Sequence, residues 1–167
     1  MTTFGSPEER GQGTLLLTRD VSKPREHVWR CLTDPNCFKV WWRENLEFDA
    51  RLGGRFVEPW IDPSGKHRTT RAEVTAFQPP EGLVMVWADE DWEFDTVVSV
   101  TLTPIDGGTR VTIEHQGWEK AAEPDRATYL LDHHGGWGRH LDNLAAFAED
   151  LAHDDGAMPG VAGDGRH

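Results

Sequence analysis

The chain has 167 residues, enough for one domain with a substantial hydrophobic core. Its 29 acidic and 17 basic side chains give a net charge of −12, which disfavours nucleic acid and anionic membrane surfaces as partners. No apolar run is long enough for a membrane span or a secretory signal, so we expect a cytoplasmic protein with two reduced cysteines, Cys31 and Cys37.

Tryptophan is the most unusual part of the composition. Eight residues are Trp, although hydrophobic residues make up only 37% of the chain. An indole is large, flat and only partly apolar, and its N–H needs a hydrogen-bond acceptor when it is buried. So many indoles in a small domain predict the walls of a cavity for a small molecule; simple filling of the core is the alternative.

The first third of the domain predicts one strand followed by two short helices. Residues 14–21 are mainly apolar and include β-branched side chains, which is typical of a strand. Ser22 is suited to cap a helix over residues 24–33. Asp34–Pro35 repeats this arrangement and predicts a second helix that ends near Trp42.

The middle of the chain predicts six further strands. Gly, Pro and Asp turn signals recur at intervals of about 8–12 residues, and the connections are short, which favours antiparallel pairing of consecutive strands. The predicted strands cover residues 46–50, 55–60, 66–77, 83–88, 94–104 and 110–116.

The C-terminal part predicts one long helix of about 25 residues that starts near Asp125. Gly135–Gly136 would weaken an isolated helix by about 1 kcal/mol per glycine, so we expect this pair to allow a close approach or to leave room for another molecule. One domain is expected over 14–152, between a disordered lead at 1–13 and a disordered tail at 153–167. The apolar stripe of the helix is Leu130, Trp137, Leu141, Leu144, Ala148 and Leu151.

Short motifs in a fixed order carry a resemblance to a known family. They are residues 28–29 (VW), 32–35 (LTDP), 41–42 (WW), 49–56 (DARLGGRF), 79–83 (PPEGL), Trp87, 102–104 (LTP), 108–111 (GTRV), His115, Gly117, 136–137 (GW), Leu141 and Leu144. On these residues the chain resembles the START-like (SRPBCC) superfamily over about residues 14–151. Within that superfamily it is similar to the branch named after the C-terminal domain of the activator of the heat-shock-protein-90 ATPase.

The resemblance implies an α+β helix-grip fold. In that fold a curved antiparallel sheet of six to seven strands wraps around a long C-terminal helix, and two short helices follow the first strand. Members generally bind hydrophobic ligands between the sheet and the helix, and they include polyketide cyclases or dehydratases, lipid carriers and chaperone activators. They share no catalytic motif that could be transferred residue by residue, so the fold alone does not give the function.

We therefore expect a small-molecule-binding protein with a hydrophobic or aromatic ligand and no cofactor. One alternative is a cyclase, dehydratase or hydrolase acting by acid–base catalysis on a polyketide-like or other hydrophobic substrate. A second alternative is activation of a chaperone ATPase or another protein-interaction role. The oligomeric state is left open between a monomer and a homodimer.

The strand periods predict which side chains face the cavity. Aromatic walls suit flat or ring-shaped ligands because offset stacking is favourable. The predicted ligand-binding residues are Trp42, Phe56, Trp60, Met85, Trp87, Phe94, Val98, Val100, Ile113, His133, Trp137 and Leu141.

Two titratable residues on predicted inward faces are candidates for catalysis. Glu58 and His115 would form an acid–base pair acting on a carbonyl or enol group. The alternatives are that an arginine neutralises Glu58 and that His115 is hydrogen-bonded structurally. His133, His134 and His140 are spaced by one, six and seven positions, so no metal site is expected, and either His133 or His134 should face the cavity.

Overall fold

The computed structural model describes residues 2–4 and 13–150. The described part contains eight β-strands, three α-helices and one short 3₁₀ helix at Trp118–Lys120. The strands are β1 (Thr2–Phe4), β2 (Thr14–Val21), β3 (Glu47–Phe48), β4 (Arg55–Ile61), β5 (His67–Gln78), β6 (Gly82–Asp89), β7 (Thr96–Ile105) and β8 (Gly108–Gln116). The helices are α1 (Arg25–Thr33), α2 (Pro35–Trp41) and α3 (Asp125–Asp150).

All eight strands form one antiparallel sheet in the order β1-β2-β8-β7-β6-β5-β4-β3. The seven strands from β2 onward correspond to those that the sequence predicts. Consecutive strands from β3 to β8 are neighbours in the sheet, as expected for strands that short turns connect. Strand β1 pairs with β2 and lies within the segment expected to be a disordered lead. Residue 1 and residues 5–12 of that lead lie outside the described residues, as do the expected tail at 153–167 and residues 151–152, which include Leu151 of the predicted helix stripe.

The two short helices begin differently from each other. Asp34 caps α2 as predicted, because its carboxylate accepts a hydrogen bond of 2.9 Å from the backbone N–H of Asn36. Ser22 does not cap α1, which begins after Pro24. Instead the backbone N–H and the hydroxyl of Ser22 both donate to the carboxylate of Glu149, at 2.9 and 3.0 Å. These bonds fasten the end of β2 to the last turn of α3.

Helix α3 lies across the sheet and buries one stripe of its surface. It has 26 residues and is therefore about 39 Å long. Near its C-terminal end, the ring Nε2 of His27 on α1 lies 3.0 Å from the carbonyl oxygen of Ala148. The α+β helix-grip architecture implied by the resemblance is thus confirmed. The buried side chains of α3 are Leu130, Trp137, Leu141, Leu144, Ala145, Phe147 and Ala148.

The turn from β3 to β4 requires glycine at two positions. Gly53 has a φ of 78°, in the left-handed region that side chains disfavour. A Cβ on Gly54 would collide with the backbone carbonyl oxygen of Asp49. These glycines hold β4 in place, and β4 carries Phe56 and Glu58 on its buried face.

Candidate functional site

A cleft of about 720 Å³ lies between one side of α3 and the inner face of β4, β5 and β6. That volume is within the range of small-molecule sites in proteins. Its walls combine indole rings with carboxyl, hydroxyl and imidazole groups. The lining residues from the sheet and the following turn include Glu58, Trp60, Arg68, Thr70, Trp87, Asp89, Asp91 and Trp92. Those from α3 include Tyr129, His133, Gly135, Gly136, Trp137, Arg139 and His140.

A second, apolar cavity of about 40 Å³ lies deeper between the sheet and the helices. It has room for only a few water-sized spheres, and an apolar space of this kind stays dry. Aromatic packing accounts for its small size, because Phe38 stacks on Trp42 with a centroid distance of 5.1 Å and meets Trp41 edge-on at 4.9 Å. The larger space therefore lies at the polar mouth of the domain and not in its apolar centre.

The predicted ligand-binding residues divide between these two spaces. Trp42 and Trp137 line both of them. Val98 and Phe94 line neither space: Val98 is fully buried, whereas Phe94 precedes β7 and stacks on Trp92 at 4.9 Å. The residues that line only the cleft are Trp60, Trp87 and His133, and those that line only the small cavity are Phe56, Met85, Val100, Ile113 and Leu141.

His115 is fully buried, and both of its ring nitrogens are hydrogen-bonded. The Nε1–H of Trp137 donates to Nδ1 at 3.0 Å. The hydroxyl of Thr96 donates to the carbonyl oxygen of Trp87 at 2.8 Å, so His115 Nε2–H donates to that hydroxyl oxygen at 2.7 Å. Burial, with a smaller contribution from His133, holds the pKa of His115 well below its usual value. His115 is therefore a neutral imidazole that fixes Trp137 of α3 to strand β8.

Glu58 is 8% exposed and belongs to the cleft wall. Its Oε2 accepts a hydrogen bond of 3.1 Å from the Nε1–H of Trp42 and lies 3.2 Å from Nε of Arg43. Burial raises the pKa of Glu58, while Trp42 and Arg43 oppose that rise. Glu58 lines the cleft and His115 does not, and their side chains are hydrogen-bonded to different partners.

Asp89 belongs to the same row of inward-facing side chains as Glu58. Glu58 on β4 is opposite Thr70 on β5, and Thr70 is opposite Asp89 on β6. The Thr70 hydroxyl donates to Asp89 at 2.6 Å and accepts from the Nε1–H of Trp60 at 3.0 Å. Burial raises the pKa of Asp89 to about 6, and the nearby Asp91 adds to the rise. Two carboxyl groups that resist ionisation thus flank one hydroxyl group in the cleft wall.

Asp89 is not among the site residues that the sequence predicts. The signal was the alternation of Leu83, Met85 and Trp87 along β6, which continues by one more step to Asp89. The missed aromatic residues, Trp92 and Tyr129, are half-buried and have ring centroids 5.1 Å apart.

The three histidines of α3 have different surroundings. His133, rather than His134, lines the cleft; its Nδ1–H donates to the carbonyl oxygen of Tyr129 at 2.9 Å, and burial lowers its pKa to about 4. His140 stacks on Trp42 with ring centroids 3.7 Å apart and an interplanar angle of 11°. Within the described part of the chain no group of three or more His, Cys, Asp or Glu residues could hold a metal ion.

The glycine pair of α3 leaves space in the cleft wall. Gly136 follows His133 by three positions and precedes His140 by four, so all three residues share one face of the helix. A Cβ at Gly135 would have no neighbouring atom within 4 Å, and one at Gly136 would meet only the Arg139 side chain at 4.0 Å. The expectation that these glycines leave room for another molecule agrees with this geometry.

The sequence of the domain matches a known protein family. Residues 22–149 match the sequence model of the family described as "Activator of Hsp90 ATPase homolog 1-like protein". No curated protein matches the chain. No helix among the described residues is both long and apolar enough to cross a membrane.

Three solved structures illustrate the likeness in fold. A protein from Rhodobacter sphaeroides is 20% identical with a TM-score of 0.72, and the alignment covers 90% of this chain and 100% of that one. CalU16 from Micromonospora echinospora is 24% identical with a TM-score of 0.66, covering 89% and 86%. DynU16, a protein in the dynemicin biosynthetic locus, is 20% identical with a TM-score of 0.68, covering 82% and 47%.

The family match covers most of the domain, and the sheet, the paired short helices and the long C-terminal helix agree with it. The chain therefore belongs to the activator of Hsp90 ATPase homolog 1-like family, a branch of the START-like superfamily.

Proposed function

We propose that this protein binds a small aromatic or otherwise hydrophobic molecule in the cleft between α3 and strands β4–β6. The observation that carries the proposal is a 720 Å³ space with aromatic side chains on its walls. Such walls favour flat ligands through offset or edge-to-face stacking, and each favourable ring pair contributes about 0.5–1.5 kcal/mol beyond burial. The aromatic residues of the cleft are Trp42, Trp60, Trp87, Trp92, Tyr129 and Trp137.

The test fills the cleft from the glycine face of α3. Gly136→Leu would place an isobutyl group between His133 and His140, where the ligand is proposed to lie. We expect calorimetric titration with naphthylethanol to show binding to the unaltered protein and a loss of about tenfold or more in Gly136→Leu.

The matched control is Gly138→Leu on the same helix. Gly138 does not line the cleft, and a Cβ there would meet no atom within 4 Å. The affinity of Gly138→Leu for naphthylethanol should equal that of the unaltered protein. Equal binding by both variants, or no binding by any of the three proteins, would contradict the proposal.

The second candidate function is acid–base catalysis on a carbonyl substrate, favoured by the two carboxyl groups in the cleft wall. Glu58 would remove a proton from the carbon between two carbonyl groups and return it, while His115 would act only by positioning Trp137. Deuterium exchange of benzoylacetone, followed by NMR, should then be accelerated by the protein and not by Glu58→Gln. The absence of acceleration would remove the catalytic function and leave the binding function intact.

Activation of a chaperone ATPase, or another protein-interaction role, stays a prediction. Such a role needs a contiguous exposed apolar patch. The large hydrophobic side chains that are exposed, Leu52, Ile61 and Leu131, belong to three separate segments of the described chain. The geometry of the cleft therefore favours the binding of a small molecule over a protein-interaction role.

A further inference from the structure

The charges around the cleft are unevenly balanced. Five carboxyl groups and two guanidinium groups line it. One of the two, Arg68, is already occupied by ion pairs with the carboxylates of Asp62, at 2.9 Å, and Asp91. The other, Arg139, is on the exposed surface of α3. The five carboxyl groups are those of Glu58, Asp62, Asp89, Asp91 and Asp132.

Asp89 and Asp132 are the two carboxyl groups of the cleft that have no ion pair among the described residues, and Asp89 is the less exposed of the two. Within the described residues the only hydrogen bond to the Asp89 carboxylate comes from the Thr70 hydroxyl, and no basic side chain lies within ion-pair distance of that carboxylate. A half-buried carboxylate is costly unless it is paired, so its surroundings favour a cation. The titratable or charged groups around Asp89 are Glu58 on β4, Arg68 on β5, Glu90 and Asp91 in its own turn, and Tyr129, Asp132 and His133 on α3.

A second and independent observation concerns Trp87, two residues before Asp89 on the same face of β6. Trp87 lines the cleft and is 5% exposed, and its buried Nε1–H has no hydrogen-bond acceptor among the described residues. A buried donor without an acceptor is rare in folded proteins, and an acceptor from outside the chain, such as a water molecule or a ligand, is one way to satisfy it. Strand β6 thus carries an unpaired carboxyl group in the cleft wall and, two residues before it, an indole whose buried N–H is unsatisfied.

We propose that the ligand of this cleft is an aromatic molecule that carries a protonated amine, with Asp89 as its counter-ion. This inference rests on the proposed small-molecule-binding function and names the chemical class of the ligand. The ammonium group would pair with Asp89, and the faces of the surrounding indoles would add cation–π attraction. The ring of the ligand would stack against Trp87 and Trp92, which line the cleft on either side of Asp89 in the sequence.

The ionisation of Asp89 gives the inference a pH dependence. Burial raises the pKa of Asp89 to about 6, and an ammonium group beside it would lower that pKa again. Below the raised pKa the carboxyl group is neutral and must lose its proton when the cation binds. Affinity for the ammonium ligand should therefore rise as the pH rises through the pKa of Asp89. His133, whose pKa is about 4, stays neutral above pH 5.

The test compares three probes that differ only in their polar end. Naphthylethylammonium is a cation, naphthylethanol is neutral and naphthylpropionate is an anion. Calorimetric titration at about pH 7.5 should show the cation binding about tenfold more tightly than the alcohol, with the anion weakest. At about pH 5 the preference for the cation over the alcohol should shrink by a factor of about three or more.

Two variants assign the preference to Asp89. Asp89→Asn should reduce affinity for the cation about tenfold and leave affinity for the alcohol unchanged. Asp20→Asn removes the same charge from an exposed ion pair with Arg110 outside the cleft, and it should behave as the unaltered protein does.

Three results would overturn the inference: equal affinity for the cation and the alcohol, strongest binding of the anion, or an undiminished cation preference in Asp89→Asn. Alcohol binding without a cation preference would reject the inference alone. Failure of all three probes to bind would reject the proposed function together with it.

Discussion

At the scale of single residues, His115 and Asp89 have opposite relations to their surroundings. His115 has partners for both ring nitrogens and is closed off from solvent, so it contributes to folding. Asp89 has one hydroxyl partner and faces the cleft, so it keeps capacity for a ligand. Both are polar residues on inner strand faces, and their burial and hydrogen-bond partners separate the two roles.

Replacement of His115 tests its structural role. His115→Phe would leave the Nε1–H of Trp137 without an acceptor, and we expect a loss of about 2–4 kcal/mol in the free energy of unfolding, measured with urea. Trp137→Phe should also destabilise, but the double variant should lose at least about 1 kcal/mol less than the sum of the two. Additive losses would show that the hydrogen bond does not couple the two residues.

Replacement of Asp89 has a stability effect that depends on pH. Its pKa is about 6 in the folded protein, above the ordinary value of 3.8, so folded protein binds more protons between those values and ionisation costs stability as the pH rises. Asp89→Asn should therefore be more stable than the unaltered protein by about 1–2 kcal/mol at about pH 7.5 and by much less near pH 4.

Asp89→Asn must be compared with the unaltered protein at each pH, because the titration of His133 changes the stability of both in the opposite direction. Its folded pKa of about 4 is below the ordinary 6.5, so it adds stability as the pH rises through the same window. The difference in unfolding free energy between Asp89→Asn and the unaltered protein removes this shared contribution. A difference that does not change with pH would contradict the assigned pKa of Asp89.

At the scale of elements, two glycines show how the local backbone decides the effect of a substitution. Gly138→Ala should stabilise α3 by about 0.5–1 kcal/mol, because its Cβ would meet no atom within 4 Å and alanine is the better helix former. Gly54→Ala should destabilise the β3–β4 corner by about 2 kcal/mol or more, because its Cβ would collide with the Asp49 carbonyl oxygen. Thermal unfolding with the reverse order of stability would contradict this account.

The elements could be predicted from the sequence because their signals are local. The apolar stripe of α3 and the Asp34–Pro35 helix start depend on neighbouring residues alone. The prediction that Ser22 caps α1 is wrong because its hydrogen-bond partner, Glu149, is distant in sequence and carries no local signal. The sequence predicts Phe94 on the strand over residues 94–104, whereas β7 begins at Thr96 and Phe94 stacks on Trp92 instead.

The cleft was harder to predict because it depends on register and on packing density. Asp89 belongs to the site only because Glu58, Thr70 and Asp89 are aligned across three strands. The alternation of strand residues gives which side chains face inward, but it does not show whether they fill the space between them. Close packing of aromatic rings reduced the central space to about 40 Å³ and left the larger space at the mouth.

At the scale of the whole molecule, the distribution of aromatic and acidic side chains has one functional consequence. A net charge of −12 repels anions over the surface as a whole, and it favours the approach of small cations. The wide side of the space between sheet and helix is both acidic and aromatic, whereas its narrow centre is apolar. Selection by charge is therefore expected at the place where a ligand would enter.

The tryptophans themselves provide the most direct test of the claim that ligands bind in the cleft. Trp60 and Trp92 line the cleft only, Trp41 lines the small cavity only, and Trp29 lines neither and packs on Phe77. In a titration with naphthylethanol followed by NMR, the indole N–H resonances of Trp60 and Trp92 should shift. Those of Trp29 and Trp41 should not change. Shifts confined to Trp41, with Trp60 and Trp92 unmoved, would contradict the account.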